Sequence, residues 1–324
     1  MLLSNEQLRG TLSGAVEILE ENGVLAPLRF GRYLREHVYG VGNRFHVKMT
    51  QSAGIVCRFT TTSKSLAFTY TVELESDLHC FDVWVNGIFL SHTLCETLTG
   101  RIEVALPFER SQVEIYFPSH REGRIFDVTL DDGAEFSLPV SPKYRILFKG
   151  DSITNGSTTR FTSMGYTHQV ARALDAHIIN QGIGGEEFNP RAVDQDLKID
   201  PDLVVLAFGT NDWAHAPSHV QMVANVNGFL AGLRDFYPEK KIVMILPIWR
   251  ADHERLKPPT GTFEGMREVL CTAAERFGIL MIDGLPLVPH VTEVFADKRL
   301  HPDEFGFQFY AENLVPHLKK ILEN

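Results

Sequence analysis

From about residue 28 to 138 apolar and polar residues alternate in short runs rich in β-branched and aromatic side chains. Alternation with period two is the pattern of a strand that buries one face and wets the other. It predicts strands at SLAFTYTVEL (65–74), FDVWVNGIFL (81–90), RIEVALPF (101–108), QVEIYF (112–117) and RIFDVTL (124–130), separated by Gly, Asn, Ser or Asp turns. Within the second, VNG (85–87) is a hairpin signal. Short strands with no helical stretch between them indicate a β-sandwich, jelly-roll-like in outline. Ahead of them, Leu8, Leu12, Val16 and Leu19 recur at helical spacing and predict a leading helix.

The rhythm changes after the Ser- and Pro-rich stretch from Ser137 to Pro142, which reads as a linker. Beyond it, continuous apolar runs, RILFKG (145–150), HIINQG (177–182), DLVVLAFG (202–209), KIVMILPI (241–248) and ILMIDG (279–284), alternate with helix-like segments at 163–175, 221–237 and 265–278. Apolar strands alternating with helices indicate a parallel sheet covered on both faces. The expected organisation is a β-sandwich domain over 1–140 with its leading helix, then an α/β domain over 141–324.

Composition narrows the function classes. A chain of 324 residues with 44% hydrophobic and 22% charged side chains can bury two ordinary cores. A formal net charge of −10 argues against nucleic acid as a partner. The N-terminus lacks the basic start and apolar run of a signal peptide, and no apolar stretch approaches the ~20 residues of a membrane span. Cys57, Cys80, Cys95 and Cys271 show no paired spacing, so free thiols in a reducing, cytoplasmic setting are expected.

In an open α/β sheet, ligands bind beyond the carboxyl ends of the strands. The residues there are Gly150-Asp151-Ser152, then Asn180-Gln181-Gly182-Ile183-Gly184-Gly185, then Gly209-Thr210-Asn211-Asp212, and DKRLHPDEFGF (297–307) places Asp297 and His301 just before a last helix. Each has a bland reading alone: Ser152 as a helix cap, Asn211 as a turn residue, His301 as a helix-start residue. Together they supply a nucleophile, donors for a developing oxyanion, and a base, the parts that acyl transfer requires. The glycine-rich turn lacks dinucleotide or phosphate-loop spacing, and no cofactor is expected. His215 and His219 have H-x-x-x-H spacing, but Pro217 between them disfavours a shared helix and no third ligand accompanies them, so no metal site is expected.

The order of these blocks, Gly150-Asp151-Ser152 with Asn155 and Gly156, Asn180-x-Gly182-x-x-Gly185, Gly209-x-Asn211-Asp212 and His301-Pro302, resembles the SGNH or GDSL hydrolase superfamily over residues 144–324. The resemblance implies a flavodoxin-like three-layer domain and serine ester hydrolysis. It makes Ser152 the nucleophile, His301 the base, and the Ser152 N–H, Gly185 N–H and Asn211 amide the oxyanion hole. In that family an aspartate stands three residues before the histidine; here that position is Lys298, and Asp297 lies four before. Either a one-residue loop expansion keeps Asp297 in the role, or a Ser–His dyad works with a backbone carbonyl, as in some related two-domain carbohydrate esterases. Asp283 is the rival carboxylate.

A sandwich before such a domain resembles family-two carbohydrate acetylesterases and certain GDSL acyltransferases. The leading expectation is a carbohydrate O-acetylesterase, its substrate a small acetylated saccharide. Trp213 and Trp249, near the carboxyl edge, are candidate sugar platforms, with core or rim anchoring as the alternative. A short-chain lipase or thioesterase, an acyltransferase, and a non-catalytic binding protein are the competing readings, and association of copies is left open.

Overall fold

A computed structural model describes residues 1–73, 80–257 and 259–324. Helix α1 (Asn5–Thr11) starts at a reciprocal cap, in which Ser4 Oγ accepts the Gln7 N–H and Gln7 Oε1 accepts the Ser4 N–H. It ends where Leu12 turns extended and Gly14 takes φ 88°, a site where a Cβ would lie 2.1 Å from the Gly54 carbonyl oxygen. The expected leading helix is therefore corrected. Leu12 starts β1 (Leu12–Ser13), and Leu19 lies in β2 (Glu17–Glu21), which pairs with β3 (Val24–Leu28) as a hairpin. Spacing alone missed the break, because the tertiary contact with Gly54 requires it.

The sandwich comprises β4 (Val56–Thr61), β5 (Ser65–Val72), β6 (Cys80–Val85), β7 (Ile88–Leu94), β8 (Thr99–Ala105), β9 (Ser111–Tyr116), β10 (Gly123–Leu130) and β11 (Phe136–Ser137). One antiparallel sheet runs β1-β4-β9-β6-β7, with β11 on β4, and the other runs β10-β5-β8. Both turn alternate residues inward: Phe59, Val83 and Ile115 meet Phe68, Tyr70, Ile102 and Ile125 in one core. The strand expected at 65–74 is observed to Val72, and its last residue, Leu74, lies outside the described residues. The β6–β7 turn is Asn86-Gly87, with φ 52° and 76°, the backbone a two-residue hairpin prefers.

The α/β half follows with β12 (Tyr144–Gly150), α2 (Ser152–Asn155), α3 (Tyr166–Leu174), β13 (Ala176–Gly182), β14 (Leu203–Ala207), α4 (Thr210–His215), α5 (His219–Phe236), β15 (Lys241–Ile245), α6 (Phe263–Arg276), β16 (Leu280–Ile282) and α7 (Glu304–Glu323). The five strands are parallel, in the order β13-β12-β14-β15-β16. Alternate residues serve opposite layers: Leu147, Val204 and Met244 pack with α5 and α6, whereas Phe148, Val205 and Val243 pack with α3 and α7. This is the three-layer flavodoxin-like order, and its switch point lies where β13 and β14 flank β12.

The segment between β3 and β4 belongs to neither sheet. Phe30, Leu34, Tyr39, Phe45 and Met49 lie in the same core as α5 and α6. Asp194 and Asp196 accept the Gly31 and Tyr33 backbone N–H groups at 2.8 and 2.6 Å. Residues 1–140 thus contribute to two cores, and one of their segments reaches the carboxyl edge of the parallel sheet.

Candidate active site

The apolar strand β12 runs inward and stops at Gly150. Asp151 then caps α2, its carboxylate accepting the Ile153 N–H at 2.9 Å. Burial pushes the Asp151 carboxyl up to about 7, against the opposing pull of that N–H and of Arg250. Ser152 opens this single helical turn at the switch point, its Oγ 2.8 Å from His301 Nε2.

His301 Nδ1 lies 2.8 Å from Asp297 Oδ2. The other oxygen, Oδ1, accepts the backbone N–H groups of Arg299 (3.0 Å), Leu300 (2.8 Å) and His301 (3.1 Å). Burial alone would raise this carboxyl; the Leu300 N–H and His301 outweigh it and hold it down at about 2. The extra residue is absorbed at Lys298, whose φ is 54°. The loop is closed behind it by the Ala296 N–H on the His301 carbonyl (2.8 Å) and by pairing of Phe295 with Pro302. Asp283 faces elsewhere, accepting from Arg267 (2.7 Å) and the Leu285 N–H (3.0 Å). A hydroxyl, an imidazole and a carboxylate in one hydrogen-bonded run can move a proton off the hydroxyl and back.

Beside Ser152, the end of β13 is tied down by Asn180. Its amide donates to the Thr154 carbonyl (2.7 Å) and Thr167 Oγ1 (3.1 Å), and its oxygen accepts the Gly182 N–H (2.9 Å). A Cβ on Gly182 would lie 2.4 Å from the Asn155 nitrogen, so only glycine lets the turn approach α2 this closely. Gly185 follows with φ 82°. On the far side, Asn211 lies in the first turn of α4 and donates one amide N–H to the Glu186 carbonyl at 3.0 Å, leaving its second. Next to it, Asp212 Oδ1 accepts the Phe188 N–H at 2.9 Å. Among the described residues, no protein acceptor takes the Ser152 or Gly185 N–H. Donors not used within the fold are what an oxyanion site needs.

The two tryptophans part ways. Trp213 has 0% exposure, donates its indole N–H to the Gly261 carbonyl (3.0 Å), packs edge-on against Phe263, and has the Arg250 guanidinium 4.7 Å from its ring. It is corrected from sugar platform to core anchor, because no face of it is open. Trp249 is half-buried, stacked on His290 at 5.6 Å and tilted against Phe295, at the base of the His301 loop. His215 ends α4 and His219 starts α5, so the pair does not share a helix face.

Sequence reasoning missed the side chains that reach this turn from the segment before the sandwich. Arg29 is fully buried, and its guanidinium donates to the carbonyls of Gln51 (2.8 Å), Asn180 (2.8 Å), Gly182 (2.7 Å) and Lys48 (3.3 Å). Burial pushes it down to about 9. Lys48 donates to the Gly184 carbonyl, and Tyr39 donates to Glu186 Oε1 at 2.6 Å. An irregular segment carries no periodicity that could have flagged them.

The model of a family described as GDSL-like lipase/acylhydrolase matches residues 148–309. No curated protein matches the sequence. Among solved structures, the salicylyl-acyltransferase SsfX3 from a tetracycline biosynthetic pathway is 22% identical, with a TM-score of 0.82, over 96% of this chain and 94% of that one. A Bacteroides ovatus protein described as a GDSL-like lipase is 18% identical, with a TM-score of 0.83, over 100% and 98%. A family two carbohydrate esterase from Cellvibrio japonicus is 17% identical, with a TM-score of 0.70, over 100% and 98%. At these identities the likeness is one of fold, and it spans both halves of the chain.

Proposed function

The chain belongs to the GDSL-like lipase/acylhydrolase family and is a carboxylic ester hydrolase, and on that premise we propose that it removes short acyl groups, acetyl above all, from carbohydrate esters through an acyl-enzyme on Ser152. The observation that carries this reading is the hydrogen-bonded run from Ser152 Oγ through His301 to Asp297 Oδ2. His301 Nε2 takes the Ser152 proton as Oγ attacks the ester carbonyl carbon, while Asp297 keeps Nδ1 protonated and the ring aligned. The negative charge on the carbonyl oxygen is met by the Ser152 N–H, the Gly185 N–H and the Asn211 amide, each contributing about 3 kcal/mol. Collapse expels the alcohol, which takes the proton from His301. Water then repeats the cycle on the acyl-serine and releases the acid.

A short acyl group is supported by Phe45, whose ring edge would touch a Cβ on Gly185 at 3.7 Å and so borders the space beside the proposed hole. A saccharide is supported by the half-exposed Trp249 beside the His301 loop and by the fold shared with a family two carbohydrate esterase. A reducing, cytoplasmic setting is supported by the four free thiols and is checked by cell fractionation. Among the described residues no helix is long and apolar enough to cross a membrane. The same acyl-serine would serve transfer to an alcohol instead of water, so products are followed with an alcohol acceptor present.

The test compares p-nitrophenyl acetate, butyrate and octanoate, and acetate release from acetylated xylo-oligosaccharides, for the wild type and Ser152→Ala. We expect acetate to be the preferred p-nitrophenyl ester, acetate release from the saccharides, and loss of both in the variant. Turnover that survives Ser152→Ala would sink the site; preference for octanoate would sink the short-acyl reading.

A further inference from the structure

We propose that Lys48 is a positioning residue for the oxyanion hole, holding and polarising the peptide group whose N–H is the Gly185 donor. The inference rests on the reading of Gly185 as a donor. The Gly184 carbonyl and the Gly185 N–H are the two ends of one planar trans peptide, pointing in opposite directions. An ammonium on the oxygen at one end fixes the plane, and through it the direction of the N–H at the other. It also draws electron density toward the oxygen, which strengthens that N–H as a donor, because hydrogen bonds in series through a peptide reinforce one another.

Lys48 is placed for this. Its Nζ donates to the Gly184 carbonyl, its one hydrogen-bond partner among the described residues. A methyl group built on Gly184 would lie 3.3 Å from Nζ and 3.7 Å from the Ser152 Cβ, so ammonium and nucleophile border the same methyl-sized space. The lysine is itself held: Arg29 donates to its backbone carbonyl, and the same guanidinium grips the Asn180 and Gly182 carbonyls. Carbonyls 180, 182 and 184, at the end of β13 and in the turn after it, are thus each bound by a cation from the segment between β3 and β4. Phe45 lies beside Lys48, with Nζ 5.4 Å and the Arg44 guanidinium 4.5 Å from its ring centroid.

The charges facing Lys48 give the inference a pH signature. Burial lowers its pKa, as do Arg44 and Arg121, while Glu186 acts the other way. Its proton is therefore lost below the ordinary lysine range near ~10.4, and the polarisation goes with it.

The experiment uses the whole chain with Lys48→Met, Lys48→Arg and Lys48→Gln, assayed on neutral p-nitrophenyl acetate and on the anionic mono-p-nitrophenyl succinate. We expect Lys48→Met to lower kcat on the neutral ester by about tenfold, less than the hundredfold or more lost with a donor itself, while KM and Tm hold. Lys48→Arg should recover most of the loss. Lys48→Gln, able to hydrogen-bond but uncharged, should fall between and decides the matter if Lys48→Met does not fold. The alkaline fall of wild-type kcat should be missing in Lys48→Met. An unchanged kcat on the neutral ester overturns the inference. So does a defect confined to KM for the anionic ester, which would make the ammonium a substrate-binding group. Ser152→Ala separates the failures: if it abolishes turnover while Lys48→Met keeps full kcat, only the role of Lys48 falls.

Discussion

Asp297 stands four residues before His301, and no spacing rule could say whether its carboxylate reaches the ring. It does so because one oxygen collects three backbone N–H groups, which leaves the other aimed at Nδ1. Asp297→Asn keeps the size of the group but can present an amide N–H to the imidazole and hold the wrong tautomer, so kcat should fall by roughly 10²–10⁴-fold with KM little changed. Unchanged activity would remove Asp297 from the mechanism. The same residue has a stability signature. Its folded pKa of about 2 lies below the unfolded value of about 3.9, so its contribution is fully present above about pH 4 and is lost as pH falls toward 2. Acid unfolding of Asp297→Asn should show a shallower pH dependence than the wild type within that window, read by circular dichroism, because other carboxylates held low in the fold still titrate there.

At the scale of elements, the inserted residue is accommodated by one backbone choice. Lys298 takes the left-handed conformation, which costs a residue with a Cβ about 1–2 kcal/mol and a β-branched one more. Lys298→Val should therefore lower both Tm and kcat, by pulling Asp297 away from His301, while Lys298→Gly should match the wild type. Equal activity of the valine variant would show that the loop has another way to close. Period-two alternation marked β5, β6, β8, β9 and β10, and the continuous apolar runs marked the parallel strands, because burial on one face or both writes itself directly into the residue pattern. The leading helix was misjudged beyond Thr11, since its stop depends on Gly14 meeting Gly54, forty residues away.

Over the whole molecule, buried acids are arranged behind the site rather than within it. Burial pushes Asp212 up to about 8 and Glu186 to about 7, as it does Asp151, and Asp212 Oδ2 has no hydrogen-bond partner among the described residues. A folded pKa above the unfolded one means that the neutral acid favours the fold. Its stabilising effect is full below about pH 4 and is lost as pH rises through about 7–8. Asp212→Asn keeps an acceptor for the Phe188 N–H without the charge. Its Tm should exceed the wild-type value at pH 8 by roughly 2 °C or more and converge on it near pH 4. A Tm difference between variant and wild type that stays the same from pH 4 to pH 8 would count against a neutral Asp212 in the fold. The larger lesson is the interlock: Arg29, Tyr39, Phe45 and Lys48 precede the sandwich in sequence yet wall the turn that follows β13.

The sequence by itself determined the two rhythms, the parallel sheet, and the chemical types at the strand ends: Ser152, Gly185, Asn211 and His301. These are local statements, since burial pattern and the position after a strand need no knowledge of distant partners. Tertiary structure decided everything that depends on two remote segments meeting. It set Asp297 rather than Asp283 beside His301, sealed Trp213 into the core, and left Trp249 half-exposed. It also brought Lys48 across 136 positions to Gly184. Long-range contacts are fixed by how layers pack, and no window of residues carries that information.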